Sequence, residues 1–417
     1  MPNQSTITVF EHQILRTDKG ELRLTADQLK ALQSYYGNGV PYFSLTHHGV
    51  QFNEYVGVIQ VGNTLIEVLP KADKYSDDKE TWRTLLIGML RAVSGFEIKS
   101  TSNANLKVKP SNILDLYFEL FINEVEFLLH SGLIKKYRKK EGNNTALKGN
   151  VVFTKNVQKN LTHQELFYTR YTTYDVCHSL HQILYKTLSL LRQINTKPSL
   201  QSRIGALLLN FPEMLDIKVS EPTFSKILFN RKTLAYKKAI EISKMILLQY
   251  HPDINKGKND VLALMFDMNK LWEQFVYISL KKHKSISYSI TAQTSKNFWK
   301  PLGGRKTTMK PDIIINKGNN EFIVLDTKWK NLNDFNPSSA DLRQLYVYHH
   351  YYKAKKVALV YPGNSENRNG LYFEPNGTIS DKVCTILTLE ENKNINEWQV
   401  EIYNKIETWI NEVIKTY

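Results

Sequence analysis

Apolar positions in the first 75 or so residues follow the alternating pattern of β-strands. Residues 7–11 and 52–61 are strand-like, and residues 61–71 complete a hairpin whose turn is Gly62-Asn63. A helix is predicted over residues 24–36. The start of the chain is therefore predicted to be β-rich.

From about residue 80 the apolar positions take the spacing of helices, and they keep it through most of residues 150–250. A polar, basic segment at residues 135–144 is predicted to be a connector, although its alternating Tyr and Lys or Arg residues also suit a phosphate backbone. Residues 252–258 are the best candidate for a boundary between this helical region and the last part of the chain. Helices are predicted over residues 81–93, 113–131, 180–194, 234–248 and 402–414.

These patterns predict a multidomain α+β protein with three regions. Residues 1–135 form a β-rich N-terminal region, residues 136–255 a helical middle, and residues 256–417 an α/β region with a central mixed sheet.

In the last region, two apolar runs finish in charged residues. Residues 310–315 and 322–328 predict two strands joined by a turn at 317–320. With the turn centred between positions 318 and 319, position 311 pairs with 326 and position 312 with 325. Asp312 then lies across the ladder from Asp326.

The charged residues of this hairpin have the chemistry of a phosphodiesterase. Asp312 and Asp326 could share one Mg²⁺ ion, with Mn²⁺ as a possible substitute, because hard cations prefer oxygen ligands. Lys328 is two positions from Asp326, so both side chains face the same way and the ammonium could stabilise developing negative charge. The alternative is a surface hairpin. The pattern resembles that of the PD-(D/E)xK nucleases.

Two helices could add residues to this site. Glu273 lies beside the apolar stripe of a helix for which Asp267 is a plausible N-cap, and it could be a further metal ligand or a solvated helix residue. Gln344 and Tyr348 share one face of a later helix. A Gln-x-x-x-Tyr pair recurs beside the DNA backbone in RecB-like nucleases, whereas the alternatives are a surface amide and a core aromatic.

Composition favours a polyanionic partner, because the formal net charge is +15 and the isoelectric point is near 9.4. Arg305, Lys306 and Lys310 precede the charged hairpin and are available to DNA phosphates. The glycines at 303 and 304 lack the spacing of a phosphate loop, so no bound nucleotide is predicted. A polar start, two isolated cysteines and the lack of a long apolar run predict a cytoplasmic protein without a membrane partner.

Several short segments of the sequence resemble, in type and order, those of the McrC family, the nuclease subunits of McrBC modification-dependent restriction systems. The segments are residues 56–61 and 66–71, Leu-Lys-Gly-Asn-Val at 147–151, residues 266–273, Pro311-Asp312, Asp326-Thr327-Lys328, Gln344, and Val-Tyr-Pro at 360–362.

The resemblance implies an AAA+ GTPase partner of the McrB type that forms hexamers, with the N-terminal region of this chain docking into the ring and stimulating hydrolysis. It also implies double-stranded DNA, modified with methylcytosine, as the substrate, and self-association that joins two complexes. A related branch of the family uses ATP-dependent partners and unmodified DNA, and this alternative stays open.

The predicted function is therefore Mg²⁺-dependent DNA cutting in phage defence. Two rival classes stay open beside it. One is a non-enzymatic DNA-binding activator, and the other is a self-sufficient repair nuclease of the RecB type.

Overall fold

The computed structural model describes residues 5–71, 78–93, 112–251, 260–283, 288–318, 321–330, 336–364 and 366–412. The chain forms a mixed α/β fold with several sheets, and it divides into two compact units. The first unit contains residues 1–99 and 265–417, and the second contains residues 100–264. The functional division into residues 1–135, 136–255 and 256–417 stays a prediction.

The first segment of the first unit is rich in strands. Its buried hairpin pairs Val61 with Thr64, and Gly62 has a positive φ of 56°, so the predicted turn at Gly62-Asn63 is confirmed. The predicted helix at 24–36 begins at Ala26, after the side chain of Thr25 caps it. The elements are β1 (Ser5–Phe10), β2 (Ile14–Arg16), α1 (Ala26–Tyr36), β3 (Phe43–Thr46), β4 (Gly49–Phe52), β5 (Tyr55–Val61), β6 (Thr64–Leu69) and α2 (Lys79–Val93).

The second unit combines helices with a three-stranded sheet. A short 3₁₀ turn at Leu234–Tyr236 precedes α8. The elements are α3 (Ile113–His130), β7 (Lys136–Asn144), β8 (Asn150–Val151), α4 (Phe153–Asn160), β9 (Phe167–Asp175), α5 (Ser179–Ile194), α6 (Pro198–Asn210), α7 (Glu221–Ser225), α8 (Lys237–Gln249) and β10 (Tyr250–His251). Strand β11 (Val261–Asp267) begins in the second unit and ends in the first.

The structure corrects the prediction of a connector at 135–144. It confirms that most of residues 150–250 are helical, including the predicted helices at 180–194 and 234–248, but strand β9 interrupts them. Strand β7 pairs with β9 in antiparallel register from Lys136 and Asp175 to Asn144 and Phe167. Along β7 exposed residues alternate with half-buried ones, so neither face carries an apolar stripe. The sequence of such a strand shows no alternation of apolar and polar residues, and its polar composition therefore predicts a loop. The structure instead has an antiparallel pair of strands, β7 and β9, called the ribbon below.

Gly149 lies at the turn that leads into β8, and we expect Gly149→Ala to destabilise the second unit. Its φ is +75°, and an added Cβ would lie 2.3 Å from the backbone oxygen of Arg170. The left-handed backbone alone costs a residue with a side chain about 1–2 kcal/mol, and the clash adds to this. The midpoint of urea unfolding, followed by circular dichroism, should therefore fall.

Gly142→Ala is the matched control, because Gly142 lies in β7 of the same ribbon and nothing stands within 4 Å of an added Cβ. Its unfolding midpoint should be unchanged or higher. Equal midpoints for the two variants would contradict the close approach at Gly149.

The last segment forms a six-stranded sheet in the order β12-β15-β16-β17-β19-β18. It mixes parallel pairs, β16 with β17 and β17 with β19, and antiparallel pairs, as predicted for this region. The elements are α9 (Met268–His283), β12 (Ser289–Ala292), β13 (Lys296–Trp299), β14 (Thr307–Met309), β15 (Ile313–Asn316), β16 (Phe322–Thr327), α10 (Ser339–Tyr351), β17 (Ala354–Pro362), β18 (Arg368–Phe373), β19 (Ile379–Leu389) and α11 (Ile395–Asn411).

Helix α10 covers one face of this sheet. Leu345 of α10 is fully buried and packs in one cluster with Val357, Leu359 and Tyr361, which alternate along β17. Because Tyr348 belongs to the same cluster, the helix is fixed in rotation about its axis.

Two further predictions concern the closing helix and the boundary ahead of the last region. The closing helix predicted at 402–414 begins earlier, at Ile395, where the side chain of Asn394 caps it. The boundary predicted at 252–258 lies outside the described residues. Among the helices of the described ranges, none has the length and apolar character needed to cross a membrane.

Candidate active site

The hairpin of β15 and β16 brings Asp312 close to the end of β16. Ile313 pairs with Leu325, so the predicted register, with 311 opposite 326, was wrong by one residue. The pairing is centred on position 319 instead of between 318 and 319. Asp312 just precedes β15, and its Oδ2 accepts hydrogen bonds from the backbone nitrogen of Thr327 at 2.7 Å and from its hydroxyl at 2.9 Å.

Asp326 is the most enclosed charged group of the site, with 1% of its surface exposed. Its Oδ2 lies 2.6 Å from Nζ of Lys328, as expected for side chains two apart on a strand. Oδ1 accepts a hydrogen bond from Nε2 of Gln344 at 3.3 Å, and the same nitrogen donates to the hydroxyl of Tyr348 at 2.7 Å. The structure therefore brings four of the predicted site residues together.

Glu273 reaches the same region from α9. The carboxylate of Asp267 accepts a hydrogen bond from the backbone nitrogen of Lys270 at 3.2 Å, which supports the predicted cap of this helix. Glu273 is only 8% exposed, and its Oε1 accepts a hydrogen bond from Nε2 of Gln293 at 2.6 Å. Oε1 of Gln293 in turn accepts from Nζ of Lys310.

Negative charge exceeds positive charge at this site. Burial and the charge of Asp312 raise the pKa of Glu273 to about 6, against the hydrogen bond from Gln293. Burial and Asp312 also raise the pKa of Asp326, although Lys328 opposes that shift. Burial disfavours the charge of Lys328 too, but the attraction of Asp326 outweighs it and raises the pKa of the lysine. Asp312 therefore lies near enough to act on both other carboxylates.

The donor set suits a hard divalent cation, because it consists of carboxylate oxygens with unbalanced negative charge. Oδ2 of Asp326 has no aligned hydrogen bond among the described residues, and its close contact is the ion pair with Lys328. In the same ranges no group of three or more His, Cys, Asp or Glu side chains is already arranged to bind a metal ion. Asp312, Asp326 and Glu273 are the carboxylates that a cation would use, and each of them is already held by at least one contact from the protein.

The segment behind Lys328 is held by residues that the sequence did not point to. The backbone nitrogen of Lys328 donates to Val360 at 3.0 Å. Next to it, the backbone nitrogen of Trp329 donates to Oδ1 of Asn269 at 3.2 Å, and its indole nitrogen donates to Oε1 of Glu11 at 2.9 Å. Contacts that join positions 11 and 329 leave no local signal in a sequence, and the same is true of Gln293.

The predicted DNA contacts fall into two groups. Arg305 and Lys306 are exposed in the loop between β13 and β14, and Lys310 follows β14. Tyr348 is 2% exposed, and its hydroxyl accepts the hydrogen bond from Gln344. The part of these residues in DNA binding stays a prediction.

Comparison with known proteins gives one family. Residues 50–362 match the family described as McrBC 5-methylcytosine restriction system component. No curated protein matches the chain.

Two solved structures from Thermococcus gammatolerans are similar in fold. One is described as a refined half-complex from a tetradecameric assembly of McrB AAA+ hexamers with bound McrC. Its chain has a TM-score of 0.69 and 20% identity over 97% of this chain and 100% of its own length. The other, a cryo-EM structure of the McrBC complex, has a TM-score of 0.50 and 19% identity over 67% of this chain and 88% of its own length.

Proposed function

This chain belongs to the family of McrBC 5-methylcytosine restriction system components, and from that premise we propose that it is the DNA endonuclease subunit of such a system. The observation that carries the proposal is the meeting of Asp312, Asp326 and Lys328 at the carboxyl end of β16, an inner strand of a mixed sheet. Two carboxylates and an ammonium at that strand end form the charged core of a PD-(D/E)xK site.

Each charged residue has a role in this proposal. Asp312 and Asp326 would hold Mg²⁺, for which Mn²⁺ could substitute, and Glu273 would offer a further oxygen ligand or order water beside it. A bound Mg²⁺ supplies Lewis-acid polarisation of a phosphate oxygen and a water of lowered pKa. Lys328, which is a quarter exposed, directs its ammonium to the phosphate as negative charge develops there. Gln344 keeps the carboxylate of Asp326 in its orientation through the bond to Oδ1.

The reaction is hydrolysis of one phosphodiester bond. The oxygen of water attacks phosphorus, the bond between phosphorus and O3′ breaks, and O3′ takes up a proton. The products are a 5′-phosphate and a 3′-hydroxyl. Site residues bind the phosphate and stabilise the charge, and none of them forms a covalent bond to DNA.

The partner proposed for this chain is an AAA+ GTPase of the McrB type. The support is the fold shared with a chain from an assembly described as McrB AAA+ hexamers with bound McrC. We propose residues 1–135 as the docking region, stimulation of the partner's hydrolysis as its effect, and pairing of two complexes through this subunit.

The test combines the full-length chain, an AAA+ protein of the McrB type, GTP, Mg²⁺ and a circular plasmid carrying 5-methylcytosine. Cutting should require every component and stop when EDTA is added, and GTP hydrolysis should rise when the chain is present. Binding of the plasmid without any cutting would favour the non-enzymatic activator.

Two changes to this assay distinguish the related branch and the repair nuclease from the proposed function. Cutting of unmodified plasmid with ATP would place the chain in the related branch. Degradation of linear DNA from its ends by the chain alone would identify a self-sufficient repair nuclease and contradict the proposed dependence on a partner.

A further inference from the structure

We propose that the aromatic hairpin, residues 293–310, is a DNA-docking element that lays Trp299 against the groove of the duplex next to the cut site, with basic residues on the flanking phosphates. This inference rests on the proposed nuclease function. It adds to that function a surface that contacts DNA through apolar as well as charged side chains.

Large apolar side chains are exposed together at this hairpin. Phe298 is 52% and Trp299 is 59% exposed, and Leu302 in the connecting loop is fully exposed. Large exposed apolar groups are unfavourable in water, and several of them on one hairpin favour a surface that another molecule contacts. Among the described residues no ring stacks on Trp299, whereas Phe298 packs edge-on against Tyr351 with 5.7 Å between centroids. Phe298 therefore supports the hairpin and Trp299 is presented outward.

The charge of this surface identifies the partner as a polyanion. The sequence has no Asp or Glu between Glu273 and Asp312. Across the aromatic hairpin there are five basic residues: Lys296, Lys300, Arg305, Lys306 and Lys310. Positive charge without intervening carboxylates is complementary to the phosphates of DNA and gives no self-neutralising ion pairs within the hairpin.

The aromatic hairpin is joined to the candidate active site at its base. Lys310 donates to Gln293, which donates to Glu273 at 2.6 Å, so both ends of the hairpin meet at one of the site carboxylates. The backbone nitrogen of Gln293 also donates to the carbonyl of Asp312 at 2.9 Å. A ligand that lies along the hairpin therefore continues into the carboxylate cluster, which favours the nuclease's own substrate over any other polyanion.

The end of α10 holds the hairpin in place. The single hydrogen of the Tyr352 hydroxyl is shared between the backbone oxygens of Thr294 at 3.2 Å and Met309 at 3.0 Å, one on each side of the hairpin. Nζ of Lys296 lies 4.5 Å from the centroid of the Tyr352 ring. A hairpin anchored in this way presents its tip in one direction, which lowers the entropic cost of docking.

The distance from this anchor to the site sets the scale of the contact. Tyr352 is eight positions beyond Gln344, just past the end of α10, or roughly 12 Å along the helix axis. That length corresponds to about three to four base pairs of DNA. An apolar side chain in the groove there would hold the duplex beside the point of cutting and favour a local kink where it inserts.

The experiment measures binding of a labelled 30-base-pair duplex to the full-length protein by fluorescence anisotropy, without Mg²⁺, over a series of salt concentrations. Trp299→Ala should weaken binding roughly ten- to a hundredfold, since stacking or groove contacts of one aromatic are of that size. The slope of log K against log salt should stay unchanged. The double variant Arg305→Ala, Lys306→Ala should lower the magnitude of this slope by about 2.

Phe373→Ala is the matched control, because Phe373 is 72% exposed on β18, at the opposite edge of the same sheet from β12. It should bind DNA as the unaltered protein does. Trp299→Phe should recover most of the affinity and, by keeping an aromatic ring, separates loss of contact from loss of folding.

Two outcomes would overturn the inference, and they are distinguishable. If Trp299→Ala and Phe373→Ala bind equally well while the unaltered protein still cuts DNA in the complete assay, the hairpin has no docking role and the nuclease function stands. If the unaltered protein neither binds nor cuts DNA, the proposed function fails and this inference fails with it.

Discussion

Asp326→Asn is expected to lower the rate of DNA cutting by roughly a hundred- to a thousandfold, the usual effect of removing one catalytic electrostatic group. The substitution keeps the shape of the side chain and its bond from Gln344, but it removes the charge that Lys328 contacts at 2.6 Å. Lys328→Ala should have a similar effect, because the ammonium would no longer be present to stabilise the phosphate. Rates are measured with partner, nucleotide and modified plasmid at saturation.

Lys355→Ala is the control for these variants. Lys355 is an exposed lysine that pairs with Glu321 at the other end of the β16 and β17 strands. It should cut normally, and all three variants should bind the partner and stimulate its hydrolysis. An Asp326→Asn protein that cuts within twofold of the unaltered rate would rule out the proposed role of this carboxylate.

The contacts of the site that could be predicted from the sequence are those between residues close together in one strand or one helix. Asp326 and Lys328 meet because side chains alternate along a strand, and Gln344 and Tyr348 meet because side chains repeat every four residues along a helix. Each contact depends on the type of one element and not on the details of the fold.

The register of the hairpin shows where such reasoning ends. The apolar patterns predict the two strands, but their pairing depends on the number of residues in the turn. A difference of one residue changes the partner of Leu325 from the predicted Asp312 to the observed Ile313. If the observed register is extended by one position beyond Ile313 and Leu325, Asp312 falls opposite Asp326, whereas the predicted register placed it opposite Leu325.

Long-range packing could not be read from the chain at all. Residues 1–99 share a compact unit with residues 265–417, and the bond between Glu11 and Trp329 ties the start of the chain to the residue that follows Lys328. A hydrogen bond between side chains that are 318 positions apart has no periodicity to reveal it.

The same unit contains a buried ion pair, and Arg83→Met is expected to lower the free energy of unfolding by about 3–5 kcal/mol. Glu67 lies in β6 and is fully buried, while Arg83 of α2 approaches it with Nη2 2.6 Å from Oε2. Nε of the arginine is 2.9 Å from both carboxylate oxygens, and the hydroxyl of Thr8 donates to the same group at 3.3 Å. Methionine would keep the packing volume but leave a carboxylate buried without its cation.

Glu80→Ala tests whether burial determines how much the Glu67–Arg83 pair contributes to stability. Glu80 contacts the same guanidinium, but its side chain is 77% exposed. Exposed pairs contribute at most about 1 kcal/mol, so this variant should unfold close to the unaltered midpoint in urea. The double variant Glu67→Leu, Arg83→Met should recover part of the loss, because it leaves no unpaired charge in the interior. If Arg83→Met and Glu80→Ala were equally stable, the buried pair would contribute no more than a surface contact.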